Sequence, residues 1–340
     1  MEVIHDTPFS ARLMPILDKD GSEARVAVLK ATYELTPQGT LRIADEQAPV
    51  REVDEFMGEP ATSSVRFEGD GAYFKPFTDL LVVGSVFAPG GRKVRNSMAG
   101  FSVGRVSKMV QVVGDRHWSY SLLRVSMSEP VPFDEMPICW ERAFGGNDPS
   151  ASSEDGGRWE PRNPIGTGFR VARSPESLDG VRLPNFEDPS NLISDWKDKP
   201  APQGFGFTGR SWMPRRRYAG TYDEVWKKNR MPIPPEDFDY RFFQGAPEDL
   251  IHPGLLRGGE PVRTLHLSKK ETEGFRLPLL AVCFHAVSRG RRLELDGRLD
   301  TVILHLVERR VILTWRCKYP VGMNEAADRI RVTIRSEDPE

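Results

Sequence analysis

The residue types that could carry out chemistry are densest in the middle of the chain, where carboxylates alternate with tryptophans. Two carboxyl groups about 5–10 Å apart are sufficient for glycoside hydrolysis, and the segment resembles a sugar-processing cleft in composition. The same carboxylates can instead cap turns and pair with arginines such as Arg142, Arg158, Arg162 and Arg170. Because spacing along a sequence does not fix a distance in space, we favour this structural interpretation. The residues concerned are Glu141, Asp148, Glu160, Glu187, Asp188, Asp195, Asp223, Glu224, Asp237 and Asp239, with Trp159, Trp196, Trp212 and Trp226.

Metal-binding patterns are missing from the sequence. The chain has 6 histidines and 3 cysteines, with neither an HExxH nor a CxxC motif. A metal site needs three or four convergent ligands, so we expect no metal. His285 and His305 lie in strand-like runs and could pair across a sheet, but the histidines are expected to be satisfied core or surface residues. Cys283 and Cys317 are expected to be small buried hydrophobic residues.

Residues 204–209 match the pattern GxGxxG of dinucleotide-binding turns. That function requires a preceding strand and a following helix, whose N-terminus meets the pyrophosphate. Prolines flank the motif on both sides, at Pro200, Pro202 and Pro214. We therefore expect a packed loop of glycine and aromatic residues, and no cofactor.

The strongest basic cluster is the triplet Arg215, Arg216 and Arg217, between Trp212 and Tyr218. Arginine and aromatic residues supply much of the binding energy at protein interfaces. The formal net charge of only −2 gives no broad basic surface for nucleic acid. The cluster is therefore predicted to contact a protein partner.

Composition limits the remaining classes. The N-terminus lacks the features of a signal peptide and no apolar run is long enough to span a membrane, so no membrane insertion is expected. Few cysteines favour a reducing compartment, the bacterial cytoplasm. With 30 glycines and 28 prolines in 340 residues, loops are abundant.

Period-two alternation predicts a mainly β fold of antiparallel sheets, as a sandwich or open barrel. Apolar residues alternate over 25–35, and a strand over 101–113 is expected to form a hairpin with 118–125. Asp296 and Gly297 predict a second hairpin turn. We expect one β-rich domain over 1–335, a frayed tail at 336–340, and a loop-rich segment over about 140–260. Two short helices are predicted, at 223–229 and near 237–243.

Several glycine, proline and aromatic blocks are predicted to shape loops rather than to react. Glycines would set turns, while charged side chains would hold the loops by hydrogen bonds. The residues assigned to this structural role are Lys75, Asp79, Glu141, Arg142, Gly145, Gly146, Tyr222 and Asp223.

The same blocks, in the same order, resemble a bacterial family catalogued as a domain of unknown function. They read FKPFTD, ERAFGGND, NPIGTGF, LPNFEDP, GFGF, GTYDEVW, DFDYRFF and APED, at 74–79, 141–148, 163–169, 183–189, 204–207, 220–226, 237–243 and 246–249. The resemblance extends from about the first strand to Trp315. The family offers no agreed active site, so no catalytic residue is carried over.

The resemblance implies an adaptor or chaperone of type VI secretion. Such a protein would hold a secreted effector toxin, or its PAAR-type spike tip, and help to load it on the VgrG spike. It would not be an enzyme. The alternatives from the residues are a carbohydrate-active enzyme that uses paired carboxylates, or a lectin-like binding module.

Overall fold

The computed structural model describes residues 2–122, 124–148, 151, 158–171, 174–288, 291–320 and 329–336. Strands account for 43% of the chain and helical turns for 9%. The prediction of a mainly β fold with several antiparallel sheets is confirmed, and within the described ranges no sheet closes into a barrel.

The strands are numbered in chain order. The first half contains β1 (Glu2–His5), β2 (Ser10–Leu17), β3 (Glu23–Leu35), β4 (Leu41–Ile43), β5 (Glu55–Phe56), β6 (Val65–Phe67), β7 (Thr78–Val82), β8 (Ser85–Phe87), β9 (Asn96–Val103), β10 (Val106–Val113), β11 (Trp118–Ser121), β12 (Arg124–Met127), β13 (Glu135–Pro137) and β14 (Phe144–Gly145). The second half contains β15 (Thr167–Gly168), β16 (Phe186–Glu187), β17 (Ile251–His252), β18 (Pro261–Leu265), β19 (Thr272–Arg276), β20 (Leu280–Ser288), β21 (Arg291–Asp296), β22 (Arg298–His305), β23 (Arg310–Pro320) and β24 (Arg329–Ser336).

The largest sheet has seven strands in the order β17-β7-β22-β23-β3-β2, and β4 also pairs with β3. Strand β3 forms where it was predicted, with Leu29 and Ala31 buried. Lys30 and Thr32 on its other face are buried as well, so burial does not alternate along this strand. Strands β7 and β22 pair in parallel, with Leu80 opposite Val302. This parallel pairing joins segments more than 200 residues apart, which no local pattern could indicate.

Among the described residues, two further sheets have four or more strands, and four others have two strands each. Of the first two, one has five antiparallel strands in the order β16-β10-β9-β18-β19, and the other has four in the order β1-β24-β20-β21, with β1 and β24 parallel. One hydrophobic core includes residues of all three larger sheets, among them Leu81, Val103 and Phe284. The three sheets therefore share an interior.

Two of the expected hairpins are wrong. The run 101–113 divides at Gly104, whose φ of +56° suits a tight turn. Strand β9 therefore pairs with β10. Strand β11 pairs with β12 instead of with the run 101–113. Strands β21 and β22 flank Asp296 and Gly297 but lie in different sheets. A Cβ on Gly297 would lie 2.8 Å from the Cβ of Val282 on β20. This glycine therefore allows the chain to pass close to β20 as it leaves the four-stranded sheet.

The middle segment is compact despite its few strands. Trp118, Phe144, Phe169, Leu178, Val181, Leu183 and Ile193 form a second buried cluster, and Trp140, Ala143 and Trp212 form a third. The short helix α1 (Glu224–Asn229) and a 3₁₀ turn at Tyr240–Phe243 occur where they were predicted. In the expected tail, Ser336 ends β24, and residues 337–340 lie outside the described residues.

Candidate functional site

A mainly apolar pocket of about 260 Å³ opens where three short 3₁₀ turns meet. The turns span Arg215–Tyr218, Tyr240–Phe243 and Glu248–Leu250. The lining residues are Phe77, Thr208, Pro214, Arg215, Tyr218, Arg241, Gln244, Ala246, Pro247, Glu248, Ile251 and Pro253. Three of them are prolines, which expose an apolar ring and lack an N–H donor.

Charged side chains lie in and beside the lining of this pocket. The ring of Tyr218 lies between two guanidinium groups, 4.8 Å from that of Arg217 and 4.4 Å from that of Arg241. Arg217 donates to Glu248 at 2.7 Å and Arg241 donates to Asp239 at 2.6 Å. Guanidinium groups favour the face of an aromatic ring, so Tyr218 and these four charged side chains form an ordered array beside the pocket.

The basic cluster predicted from the sequence is divided by this arrangement. Arg216 and Arg217 are exposed and Tyr218 is half-buried. Trp212 and Arg215 are buried, which corrects the expectation that all five side chains lie on one contact surface. Whether the exposed members contact a partner stays a prediction.

Arg215 supports the pocket from beneath. Its guanidinium group donates to the carbonyl oxygens of Phe242 at 2.7 Å and Thr208 at 2.8 Å, and to Glu68 at 2.5 Å. Burial raises the pKa of Glu68, but the nearby positive charges of Arg215, Lys75 and Arg210 outweigh burial and hold its pKa below the ordinary value. Glu68 is therefore a charged anchor for Arg215.

A second buried ion pair supports the pocket wall. Lys75 Nζ lies 2.7 Å from Asp79 Oδ2, and Asp79 also accepts from Gln244 Nε2 at 2.7 Å and the Gly245 amide at 2.8 Å. Gln244 lines the pocket. The structure thus places Lys75 and Asp79 where they fix the loop at 244–245 against β7.

A third buried network lies next to these pairs. Arg316 contacts both Asp300 and Asp70, and Lys30 contacts Asp70, with all four side chains buried. Burial lowers the pKa of Lys30, while Asp70 opposes this effect. A cavity of about 10 Å³ between Lys30, Glu68, Asp70, Lys75, Thr301 and Arg316 joins the networks. Its volume is about that of one water molecule.

A larger open cleft of about 780 Å³ lies along the blocks at 141–148 and 163–169. Strands β14 and β15 pair in parallel at its base, and a Cβ on Gly146 would lie 2.2 Å from the carbonyl oxygen of Gly166. Gly145 is equally restricted, because a Cβ there would lie 2.2 Å from the oxygen of Asn163. Gly145 and Gly146 are therefore required by the close approach of two backbone segments.

The other residues that were assigned a structural role hold loops in place through hydrogen bonds and ring contacts. Glu141 accepts from the amide of Ser64 at 2.8 Å, and Arg142 donates to Asp115 at 3.1 Å and to Asn185 at 3.0 Å. Asp223 caps α1 by accepting from the Trp226 amide at 2.7 Å. Tyr222 is exposed, and its ring packs edge-on against Trp226.

The carboxylates of the middle segment do not gather in one cleft. Several bond to a residue nearby in the chain, as in Glu160 with Arg162, Asp237 with Thr221 and Asp188 with Ser190, whereas Glu141 bonds to the distant Ser64. Asp179 is the only carboxylate among the described residues that line the 780 Å³ cleft. Turn capping and local pairing are thus the roles in which the structure places these groups.

His285 and His305, which the sequence would allow to pair across a sheet, do not pair. His285 lies on β20 and His305 on β22, in different sheets. The GxGxxG match is a packed loop, since a Cβ on Gly204 would lie 3.0 Å from the ring of Trp140 and one on Gly209 would lie 2.6 Å from Trp212.

Sequence reasoning missed several residues that form the pocket. Arg241, Gln244, Pro247 and Glu248 lie in or beside the blocks DFDYRFF and APED, but no role was assigned to them. An available signal was the pair Asp239 and Arg241, because an Asp two residues before an Arg can cap a turn and bind the guanidinium group at once. In the structure Asp239 does both.

Comparison with known proteins gives a family but no activity. Among the described residues, no helix combines the length and the apolar character that a membrane span requires. No curated protein and no solved structure matches the chain. Residues 20–316 match the family described as uncharacterized protein conserved in bacteria (DUF2169), and the chain therefore belongs to that family.

Proposed function

We propose that this chain is a cytoplasmic adaptor of type VI secretion, which binds an effector toxin or its PAAR-type tip and helps to load it on the VgrG spike. The sequence resemblance supplies the secretion context. The observation that carries a binding function is the apolar pocket lined by Tyr218, Arg241 and Glu248, with Arg217 bound to Glu248.

This pocket has the composition of a protein-binding site. Interfaces combine an apolar centre with a polar rim, and Tyr and Arg are enriched among the residues that dominate affinity. The volume of about 260 Å³ lies just below the roughly 300–1,000 Å³ of small-molecule sites. The pocket therefore suits one large apolar side chain that projects from a partner.

The support beneath the pocket favours the same interpretation. Arg215 and Gln244 are held by buried ionic and hydrogen-bonding groups rather than by flexible loops. A preformed pocket loses little conformational entropy when a partner binds. Rigidity at this point is useful to a protein that must recognise one cargo.

Cargo capture tests the proposal. Tag-free effector and PAAR-type protein from the same gene cluster are presented to the immobilised chain. Tyr218→Ala and the double variant Arg217→Glu/Arg241→Glu should each weaken capture by about 30-fold or more, because Tyr218 and Arg241 line the pocket and Arg217 is bound to its lining residue Glu248. Wild-type capture should also weaken as salt rises.

A charge-matched control separates this site from a general effect of charge. Arg92 and Lys93 are exposed and do not line the pocket, so Arg92→Glu/Lys93→Glu should leave capture unchanged. Equal loss in both double variants would remove the pocket from the proposal. Absence of capture by folded wild-type protein would contradict the adaptor function itself.

A lectin-like function is the second candidate, because Trp159 is 54% exposed at the 780 Å³ cleft. An exposed indole ring beside Arg170 and Arg182 could stack on a sugar. Calorimetric titration with bacterial cell-wall oligosaccharides should then give binding that Trp159→Ala abolishes. Hydrolysis of the sugar would favour the enzyme alternative, whereas no heat of binding would exclude both for these ligands.

A further inference from the structure

Three side chains of metal-binding type meet at the β20–β21 edge of the four-stranded sheet. They are Cys283 and His285 on β20 and Glu294 on the neighbouring strand β21. One ligand atom from each lies within 4.8 Å of the others. This cluster is separate from the pocket and from the cleft described above.

Strand geometry explains why the three groups converge. Residues two apart on a strand point to the same face, so Cys283 and His285 share a face, while Val282, Phe284 and Ala286 contribute to the core on the other side. His285 is directly opposite Glu294 in the antiparallel ladder. Side chains of directly opposed residues lie on the same face and within reach of each other.

The spacing fits a tetrahedral zinc site. Zinc binds sulfur at about 2.3 Å and carboxylate oxygen at about 2.0 Å, which places these two ligands about 3.5 Å apart at the tetrahedral angle. The sulfur of Cys283 lies 3.5 Å from Oε1 of Glu294. No large movement of the backbone is therefore needed for these two groups to bind one ion.

The histidine has a suitable outer partner. His285 Nε2 lies 2.8 Å from the hydroxyl group of Thr333 on β24. Metal-bound histidines usually donate their other ring N–H to a carboxylate, a backbone carbonyl or water, which fixes the orientation of the ring, and the Thr333 hydroxyl oxygen can accept in the same way. With Nε2–H donating to Thr333, Nδ1 retains the lone pair that a metal requires.

We propose that Cys283, His285 and Glu294 bind one Zn²⁺ ion, with water as the fourth ligand. On binding, the thiol of Cys283 releases its proton to solvent and the thiolate coordinates the ion. The exposed Glu294 lies at the entrance and Cys283 is buried, so the ion enters from the side of β21. Bound zinc would join the edge strand β21 to β20.

No motif in the sequence indicates such a site, and the sequence pattern predicts no metal. Zinc sites are recognised from close pairs of cysteine and histidine. Here, two ligands are two residues apart and the third is supplied by the register of a neighbouring strand. The sheet, rather than a local motif, assembles the cluster.

Cobalt substitution tests the proposal directly. Tag-free protein, stripped of metal under reducing conditions, is titrated with Co²⁺. One equivalent should produce a thiolate-to-cobalt charge-transfer band and the intense visible absorption of tetrahedral cobalt, and Zn²⁺ should displace both. Cys283→Ser should abolish the charge-transfer band. His285→Gln and Glu294→Gln should each weaken affinity at least 10-fold.

Matched controls are Cys139→Ser and His252→Gln, the latter on β17, which lie outside the cluster and should leave the titration unchanged. Glu294 is exposed, so Glu294→Gln should remain folded even if Cys283→Ser does not. Absence of a charge-transfer band from wild-type protein would overturn the proposal. Equal cobalt binding by wild type and by folded Glu294→Gln would also overturn it.

Discussion

Lys75 Nζ lies 2.7 Å from Oδ2 of Asp79, and both side chains are buried. The two residues are four apart in the chain and belong to the block FKPFTD. Asp79 also accepts from Gln244 and from the Gly245 amide. This one carboxylate therefore connects β7, its own preceding loop and the wall of the candidate pocket.

Replacement of Asp79 by Asn should be strongly destabilising. The variant leaves the Lys75 charge in the interior without its counter-ion, and such a change costs about 3–5 kcal/mol. Urea denaturation followed by tryptophan fluorescence measures the free energy of unfolding. The control Glu34→Gln breaks the exposed pair of Glu34 and Arg42 and should cost at most about 1 kcal/mol. Similar losses in both variants would show that the buried pair has no special role.

Replacement of Gly146, at the 780 Å³ cleft, by Ala should lower the stability of the folded protein. The φ of +91° strains any residue with a Cβ, and that Cβ would lie 2.2 Å from the Gly166 oxygen. A loss of at least about 1–3 kcal/mol is expected from the backbone strain. Gly71→Ala is the control, because its Cβ would meet nothing within 4 Å, and it should stay within about 0.5 kcal/mol of wild type. Thermal melting compares the two, and equal melting temperatures would contradict the prediction.

Replacement of Arg142 by Ala should lower the melting temperature without removing partner binding. Its guanidinium group holds Asp115 and Asn185 together from a half-buried position. Loss of hydrogen bonds from a charged group costs about 1.5–3 kcal/mol. Arg182 also contacts Asp115, at 3.5 Å, but is 61% exposed, so Arg182→Ala should cost little. If Arg142→Ala abolished capture with stability unchanged, the block would be a binding site instead.

Acid should weaken the support of the pocket through Glu68. Its pKa in the folded protein is below the ordinary value of 4.5, because nearby arginine and lysine charges outweigh the effect of burial. Its contribution to stability is therefore complete above pH 4.5 and is lost as the pH falls through the lower, folded pKa. The difference in unfolding free energy between wild type and Glu68→Gln should shrink below about pH 4.5. A difference that stays constant from pH 6 to about pH 3 would show that Glu68 does not titrate with a lowered pKa.

The sequence by itself determined the mainly β class, several strands and the two short helical segments. The alternation of apolar residues along β3 is a local property, since successive side chains on a strand point to opposite faces, although the structure buries both faces of this strand. The cap of α1 by Asp223 is local as well, because an N-cap bonds to an amide three residues away. Such features depend on neighbours in the chain, and a sequence contains them directly.

Only the tertiary structure decided which side chains meet across long distances in the chain. Arg215 lies in a basic triplet, but Glu68 and the carbonyl of Phe242 draw it into the interior. Cys283 and His285 meet Glu294 because of the pairing register between β20 and β21. A one-residue change of that register would turn Glu294 to the opposite face. Burial and register are set by the packing of whole sheets, so the candidate pocket and the candidate zinc site arise only in the folded chain.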